Sequence, residues 1–214
     1  MGKHKIISVR NLTDSTFVIT FERNDFQFQT GQFVMLKIPG SAEKREYSLY
    51  SGENDVFLEV LVREIESGKV SGRLKKLKPG AEIEVDGPFG FFKFNPVKFA
   101  SQKYLFVATG TGISPFHSFV RTFPALDYRL IHGVRLIEEA YEHADYQKER
   151  VVLCLSGDEG GDFYGRVTDY LFTQKIDRET NCFLCGNSEM IYEVFDILTG
   201  KGIPVANIYS EVYF

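Results

Sequence analysis

Three short strings in this 214-residue chain place residue types in orders that could do chemistry. The first is Val107-Ala108-Thr109-Gly110-Thr111-Gly112-Ile113-Ser114-Pro115-Phe116. It passes from an apolar, strand-like run directly into a helical pattern. Gly110 and Gly112 let a ligand come close to the backbone, Pro115 suits a first helical turn, and a helix N-terminus offers N–H groups to phosphate. Pro115 stands where the third glycine of G-x-G-x-x-G would be, so the standard dinucleotide fingerprint does not apply and a purely structural glycine turn is the alternative. The second string is Arg45-Glu46-Tyr47-Ser48, followed 20 residues later by Gly68-Lys69-Val70-Ser71. An arginine can clamp phosphate, a tyrosine ring can cover a flat conjugated system, a serine can donate to a ring nitrogen, and Gly68 allows a tight, anion-facing turn. In the third, Leu184-Cys185-Gly186-Asn187, an apolar run ends in a thiol and a glycine, the place where ligands bind in doubly wound sheets. Burial is nevertheless the commonest fate of an isolated cysteine.

Two textures of sequence must position these strings. Up to about residue 100, short apolar alternations are broken by turns: Lys5–Val9, Phe17–Phe21, Phe33–Ile38, Tyr47–Tyr50, Val56–Val62 and Ile83–Val85. This pattern predicts an antiparallel sandwich or barrel. From Tyr104 onward compact strand-like runs alternate with helical periodicity. Strands are expected at Tyr104–Ala108, Tyr128–Gly133, Val151–Ser156, Asn181–Cys185 and Ile208–Val212. Helices are expected at Ser114–Thr122, Ile137–Tyr146, Val167–Phe172 and Ser188–Gly200. Such alternation predicts a parallel sheet covered by helices. Periodicity lapses near Pro96–Gln102, which sets the expected domains at 1–99 and 100–214.

Composition narrows the classes. The 43% hydrophobic content is ample for packed cores, and no run approaches the roughly 18 apolar residues of a membrane helix. No secretory leader is evident at the N-terminus, so a cytoplasmic location away from membranes is expected. The net charge of −4 argues against nucleic acid as a partner. Charge is uneven, however: residues 1–100 hold 15 basic and 13 acidic side chains, and residues 101–214 hold 10 and 16. The excess base around Arg73, Lys75, Lys76 and Lys78 is a candidate face for an acidic partner. Cys154, Cys182 and Cys185 are too few for a disulfide framework or a four-ligand metal site, and His4, His117, His132 and His143 lack ligand spacing, so no metal is expected.

Taken in chain order, Arg45-x-Tyr47-Ser48, Gly68-x-x-Ser71, Thr109-Gly110-Thr111-Gly112-Ile113-x-Pro115, Cys185-Gly186 and Glu211-Val212-Tyr213-Phe214 resemble the ferredoxin-NADP reductase superfamily over nearly the whole chain. Gly68-Lys69-Val70-Ser71-x-x-Leu74, Phe91-Phe92 and the single residue after Tyr213 are most similar to the bacterial flavodoxin/ferredoxin-NADP reductases. The resemblance implies a two-domain protein, an antiparallel β-barrel FAD-binding domain followed by an α/β doubly wound parallel-sheet nucleotide-binding domain. It implies an FAD-dependent enzyme that transfers hydride between NADP(H) and FAD and single electrons between FAD and an acidic ferredoxin or flavodoxin, working as a monomer.

Residue by residue, the resemblance assigns Arg45 to the FAD phosphate, Glu46 to the same set of contacts, Tyr47 to one face of the isoalloxazine and Ser48 to the flavin nitrogen that receives hydride. Leu61, Val62 and Arg63 would run along the flavin, and Gly68, Lys69, Val70 and Ser71 would hold the pyrophosphate. Thr111 would sit between flavin and nicotinamide, Gly110 and Gly112 would cradle the nucleotide, and Cys185 and Gly186 would border the nicotinamide. Glu211 would be a charge or proton partner, Tyr213 a movable cover on the opposite flavin face and Phe214 an adenine anchor. Ser48, Cys185, Glu211 and Tyr213 thus form the expected catalytic group.

The resemblance gives the NADP 2′-phosphate to Arg135 and Arg166, with Ser156 beside them. In Ser156-Gly157-Asp158-Glu159, bacterial relatives commonly carry Ser-Arg; Gly157 therefore replaces an expected arginine, and two nearby acids suit the free ribose hydroxyl of NAD(H). NADP is preferred because two guanidinium forks make strong charge-assisted contacts. The competing activities are an NAD(P)H:flavin reductase and an electron-transfer subunit of a larger oxidoreductase. A nucleotide-binding module without turnover is a further alternative, disfavoured because Arg45, Tyr47, Ser48, Glu211 and Tyr213 occur together.

Overall fold

The computed structural model describes residues 1–66, 68–93 and 102–213. Its chain separates into two compact units, one of Met1–Phe94 with Ser114–Pro124 and one of Asn95–Ile113 with Ala125–Phe214.

The first unit is an antiparallel barrel. Its strands β1 (Gly2–Asn11), β2 (Thr16–Glu22), β3 (Phe33–Lys37), β4 (Lys44–Ser48), β5 (Phe57–Arg63) and β6 (Glu82–Phe89) lie in the order β4-β3-β6-β1-β2-β5. β1 turns the barrel's corner. Its first residues, Gly2–Lys5, pair with β6; the register then shifts between Ile6 and Ser8, and the rest pairs with β2. A bulge of this kind bends and twists a strand, which closure requires. The outer strands meet through a bridge between Leu49 and Val60 and a Tyr50 N–H donating to the Glu59 carbonyl at 2.8 Å.

Phe17, Ile19, Phe21, Val34, Leu36, Leu49, Leu58, Val60 and Val62 fill the barrel, each fully buried. Burial of each such side chain is worth about 1.5–3 kcal/mol. The short helix α1 (Ser71–Lys75) adds Leu74 to this core. Helix α2 (Ser114–Thr122) groups with the same unit: Phe116 and Phe119 pack on Phe92, Thr30 Oγ1 lies 2.7 Å from Ser118 Oγ, and His117 stacks on Tyr50 with ring centroids 3.7 Å apart.

The second unit is a parallel sheet of β7 (Tyr104–Thr109), β8 (Tyr128–Val134), β9 (Val151–Leu155), β10 (Phe163–Tyr164), β11 (Asn181–Gly186) and β12 (Ile208–Val212), in the order β10-β9-β8-β7-β11-β12. The central strands β7 and β11 are apolar and almost wholly buried, as a strand covered on both faces must be. Helices α3 (Val167–Thr173) and α4 (Ser188–Gly200) share one core with Leu105, Val107, Ile131 and Leu184. Phe106, Tyr128, Phe183 and Tyr209 form a ladder of stacked and edge-on rings.

The sheet order reverses at β7. From there the chain steps outward through β8, β9 and β10, then returns to β11 and β12 on β7's other side. The carboxyl ends of β7 and β11 consequently border a topological switch point.

One expected element is absent. Ile137–Tyr146 is not an α-helix but two 3₁₀ turns, Ile137–Glu139 and His143–Asp145. Glu139 folds back, accepting from the Arg135 and Leu136 N–H groups at 3.0 Å each, and Glu142 adopts left-handed geometry with φ of 48°. A helix cannot propagate through that residue.

Candidate nucleotide and flavin sites

In the barrel, the edge strand β4 carries Arg45 and Tyr47 on one face, because side chains two apart in a strand point the same way. Arg45 is exposed. Its Nη1 donates to the Lys44 carbonyl at 2.9 Å, and among the described residues it has no carboxylate partner. Its charge is thus open to an anion. Tyr47 is half-buried against the barrel core, and burial pushes its hydroxyl up to about 12 although Arg45 pulls the other way. The ring is therefore an un-ionised, rigid platform. Ser48 is buried at the strand end, and Glu46 is exposed.

On β5, Leu61 and Val62 are buried and Arg63 is exposed. The turn before α1 is tight: a Cβ on Gly68 would lie 2.8 Å from Ser71 Oγ and 2.9 Å from the Ile65 carbonyl oxygen. Ser71 Oγ in turn accepts from the Ile65 N–H at 3.1 Å, and Val70 is buried. Lys69 Nζ pairs with Glu43 at 2.9 Å while the side chain stays largely exposed. A bare cation, a flat aromatic and a glycine turn suit a flavin dinucleotide's phosphates and ring.

In the parallel sheet, the glycine loop closes directly over β11. A Cβ on Gly112 would lie 2.3 Å from the Cys185 carbonyl oxygen, and one on Gly186 would lie 2.2 Å from Thr109 Oγ1. Gly110, by contrast, has φ of 53° and open space where its Cβ would be. One glycine permits the left-handed turn and has open space beside it, and two permit close contact between the loop and β11.

The register of β11 with β12 gathers the third group. Cys185 pairs with Glu211, Gly186 pairs with Val212, and the Tyr213 N–H donates to the Gly186 carbonyl at 2.8 Å. Burial pushes the Cys185 thiol well up, and the charge of Glu211 adds to this; a hydrogen bond with the Tyr213 side chain opposes it. Cys185 is accordingly a neutral thiol and no nucleophile. Phe214 lies outside the described residues.

The remaining candidates sit past the carboxyl ends of β8, β9 and β10. Arg135 follows β8, Ser156 follows β9, and Arg166, which follows β10, is the N-cap of α3 with its N–H bonded to Asp169 Oδ2 at 3.0 Å. Both arginines are exposed. Gly157 gives room for one of them: a Cβ there would lie 2.8 Å from Arg135 Cγ. Asp158 is turned into its own loop, accepting from the N–H groups of Ile137 at 3.3 Å and Glu159 at 2.8 Å.

Sequence reasoning passed over His132 and His143. His132 is fully buried, with Nδ1 at 2.8 Å from His143 Nε2 and Nε2 at 2.9 Å from the Gly110 carbonyl oxygen. The available signal was a lone polar residue inside the apolar run Leu130–Val134. Thr109 was also missed; its Oγ1 accepts from the Asn187 N–H at 3.4 Å.

Comparison with known proteins follows the same division. Residues 3–94 match the family described as an oxidoreductase FAD-binding domain, and residues 106–195 match an oxidoreductase NAD-binding domain. Ferredoxin–NADP reductase B of Sorangium cellulosum is 28% identical over 236 residues, covering 98% of this chain and 96% of its own. The electron transfer component of toluate 1,2-dioxygenase from Pseudomonas putida is 29% identical over 225 residues; the alignment takes in 97% of this chain but 66% of that protein's length. A solved ferredoxin NADP+ reductase from Neisseria gonorrhoeae, with bound FAD and NADP, superposes with a TM-score of 0.88 over 100% of this chain and 98% of its own, at 24% identity. That likeness is one of fold.

Proposed function

Since the chain belongs to the ferredoxin-NADP reductase superfamily of FAD- and NAD(P)-binding oxidoreductases, we propose that it is the reductase of a ferredoxin or flavodoxin, exchanging hydride with NADP(H). The observation that carries this reading is Gly110 at the switch point, left-handed with φ of 53° and with open space where its Cβ would be, on a loop that Gly112 holds against β11. Such a site takes a dinucleotide by its backbone and leaves side chains to set the chemistry.

FAD, when bound, supplies the conversion between a two-electron hydride and single electrons. The chain's residues do the rest. Arg45 binds phosphate, Tyr47 supports one ring face, Ser48 offers its hydroxyl to the hydride-accepting nitrogen, and the Gly68–Ser71 turn holds the pyrophosphate with Val70 as its apolar floor. Leu61 and Arg63 would run along the same cofactor, with Glu46 at its edge, whereas Val62 is fully buried in the barrel core. Gly110, Thr111 and Gly112 hold the nicotinamide nucleotide, and Cys185 and Gly186 form the wall against its ring. Tyr213 would be the movable cover on the isoalloxazine, and Glu211 a charge or proton partner. Residues 1–99 thus serve FAD and 100–214 serve the nucleotide.

NADP is the preferred nucleotide. Arg135 and Arg166 are exposed guanidinium forks, and the hydrogen bonds that Asp158 accepts within its own loop reduce the repulsion that a 2′-phosphate would meet. Arg63, Arg73, Lys76 and Lys78 are exposed and form the docking face for an acidic carrier, whereas Lys75 is engaged with Glu64 at 2.6 Å and with the Asp14 carbonyl.

Anaerobic titration of the yellow protein with NADPH and with NADH, read by flavin absorbance, tests the proposal. Bleaching by NADPH at lower concentration than NADH, followed by reduction of an added ferredoxin or flavodoxin, is expected. Protein that stays colourless with added FAD overturns the enzyme reading, and release of free reduced flavin without carrier reduction overturns the carrier.

A further inference from the structure

Hydrogen-bond polarity runs in one direction along the chain His143, His132, Gly110. The Gly110 carbonyl oxygen can only accept, so His132 Nε2, 2.9 Å away, must carry a proton. If Nε2 is protonated in a neutral ring, His132 Nδ1 is bare and must accept from His143 Nε2, at 2.8 Å. The reverse tautomer would set a lone pair of His132 against the Gly110 oxygen. A doubly protonated His132 would be a fully buried cation with an imidazole and a carbonyl as its hydrogen-bond partners among the described residues.

We propose that His143 and His132 form a one-way hydrogen-bond chain that fixes the plane of the Gly110–Thr111 peptide, making both imidazoles positioning residues for the nicotinamide nucleotide. The inference rests on the reading of Gly110–Gly112 as the nucleotide loop. A trans peptide holds its C=O and the following N–H antiparallel. Tethering the Gly110 oxygen to His132 therefore sets the direction of the Thr111 N–H. Glycine at φ of 53° has other conformations at little cost, so a tether is needed where a side chain's sterics give none.

The surroundings keep both rings in place. Tyr141 and Tyr146 pack on His132 and His143 with centroids 6.1 and 6.2 Å away. Asp162 is the acid that acts on His143 and is itself occupied in accepting from the Leu153 N–H; Glu142 and Asp145 flank the turn that carries His143. Burial lowers the affinity of both imidazoles for a second proton.

The test uses the FAD-loaded protein labelled with ¹⁵N-histidine, and the variants His143→Phe and His143→Gln. Long-range ¹⁵N–¹H correlation spectra of the wild type should show His132 as the neutral Nε2–H tautomer. Calorimetric titration with NADP+ should show His143→Phe binding about tenfold more weakly, with a mixed His132 tautomer, and His143→Gln, which can still donate, close to wild type. Unaltered FAD absorbance would accompany both. A His132 found as the Nδ1–H tautomer overturns the proposal without any variant. Wild-type binding of NADP+ with unchanged affinity in His143→Phe overturns it alone, while wild-type protein that binds neither NADP+ nor NAD+ overturns the nucleotide reading and this inference together.

Discussion

Gly112 lies so close to Cys185 that a single added methyl group would stand 2.3 Å from the Cys185 carbonyl oxygen and 2.6 Å from its carbon. Both neighbours are backbone in the most buried part of the sheet, so neither can yield. Gly112→Ala should therefore push the loop off β11. The expected result is a rise of at least tenfold in the KM for NADPH, with FAD content retained and a stability loss of about 1–3 kcal/mol in urea denaturation. Wild-type kinetics in this variant would mean that the loop does not hold nucleotide.

Arg45 is a cation that no carboxylate neutralises among the described residues. Arg45→Ala should weaken FAD retention by about tenfold or more, the weight of a charge-assisted phosphate contact, and leave folding intact because the side chain is exposed. Equilibrium dialysis against FAD, read beside thermal unfolding of the apoprotein, separates the two effects.

Arg135 lies along Gly157, and its guanidinium stays exposed. Arg135→Ala should raise the KM for NADPH by about fivefold or more and leave that for NADH unchanged, so the ratio of the two kcat/KM values is the measurement to make. A parallel loss for both nucleotides would assign Arg135 to a contact other than the 2′-phosphate.

All three cysteine thiols are buried. Burial carries Cys154 and Cys182 up to about 12, and burial with the help of Glu211 pushes Cys185 well up. The thiolate is the reactive form, and at pH 8 almost none is present. Iodoacetamide should leave all three unmodified in the native protein and alkylate all three in guanidinium, as read by mass spectrometry.

The histidine pair links folding to acid. Burial first, then His143, carries His132 down to about 3, and burial carries His143 down to about 4 against the pull of Asp162. In the unfolded chain the same imidazoles take protons near 6.5. Between those values the unfolded state binds more protons, so stability is intact at pH 7 and falls as pH drops from about 6.5 towards 4, by roughly 1 kcal/mol per pH unit for each ring that stays neutral. Urea midpoints measured at intervals through this window should decline, and His143→Phe should flatten the slope.

Much of this architecture is legible in the residues themselves. β2 and β5 announce themselves through Phe17, Ile19, Phe21, Val60 and Val62, because core residues placed two apart leave a direct trace in sequence. The glycine loop is equally plain. Elsewhere long-range contacts decide what local pattern cannot. Ile137–Tyr146 has helical spacing, yet Glu139 captures two backbone N–H groups behind it and ends the helix before it starts. Lys69 meets Glu43, 26 residues earlier, at 2.9 Å, a pairing that no local spacing announces. The five-residue α1 is too short to display a period. His132 and His143 meet only once a left-handed Glu142 has turned the chain, so their partnership has no counterpart in spacing.

Helix α2 completes the barrel's unit although its residues follow β7 in the chain. Synthesis on the ribosome therefore delivers six barrel strands well before the element that buries Phe92 and receives Tyr50 and Thr30. A nascent chain ending near residue 99 would present that apolar face to water and to chaperones, and would reach its final packing only after Ser114–Pro124 had left the exit tunnel. A gene fragment cut at the apparent boundary would encode a stalled folding intermediate.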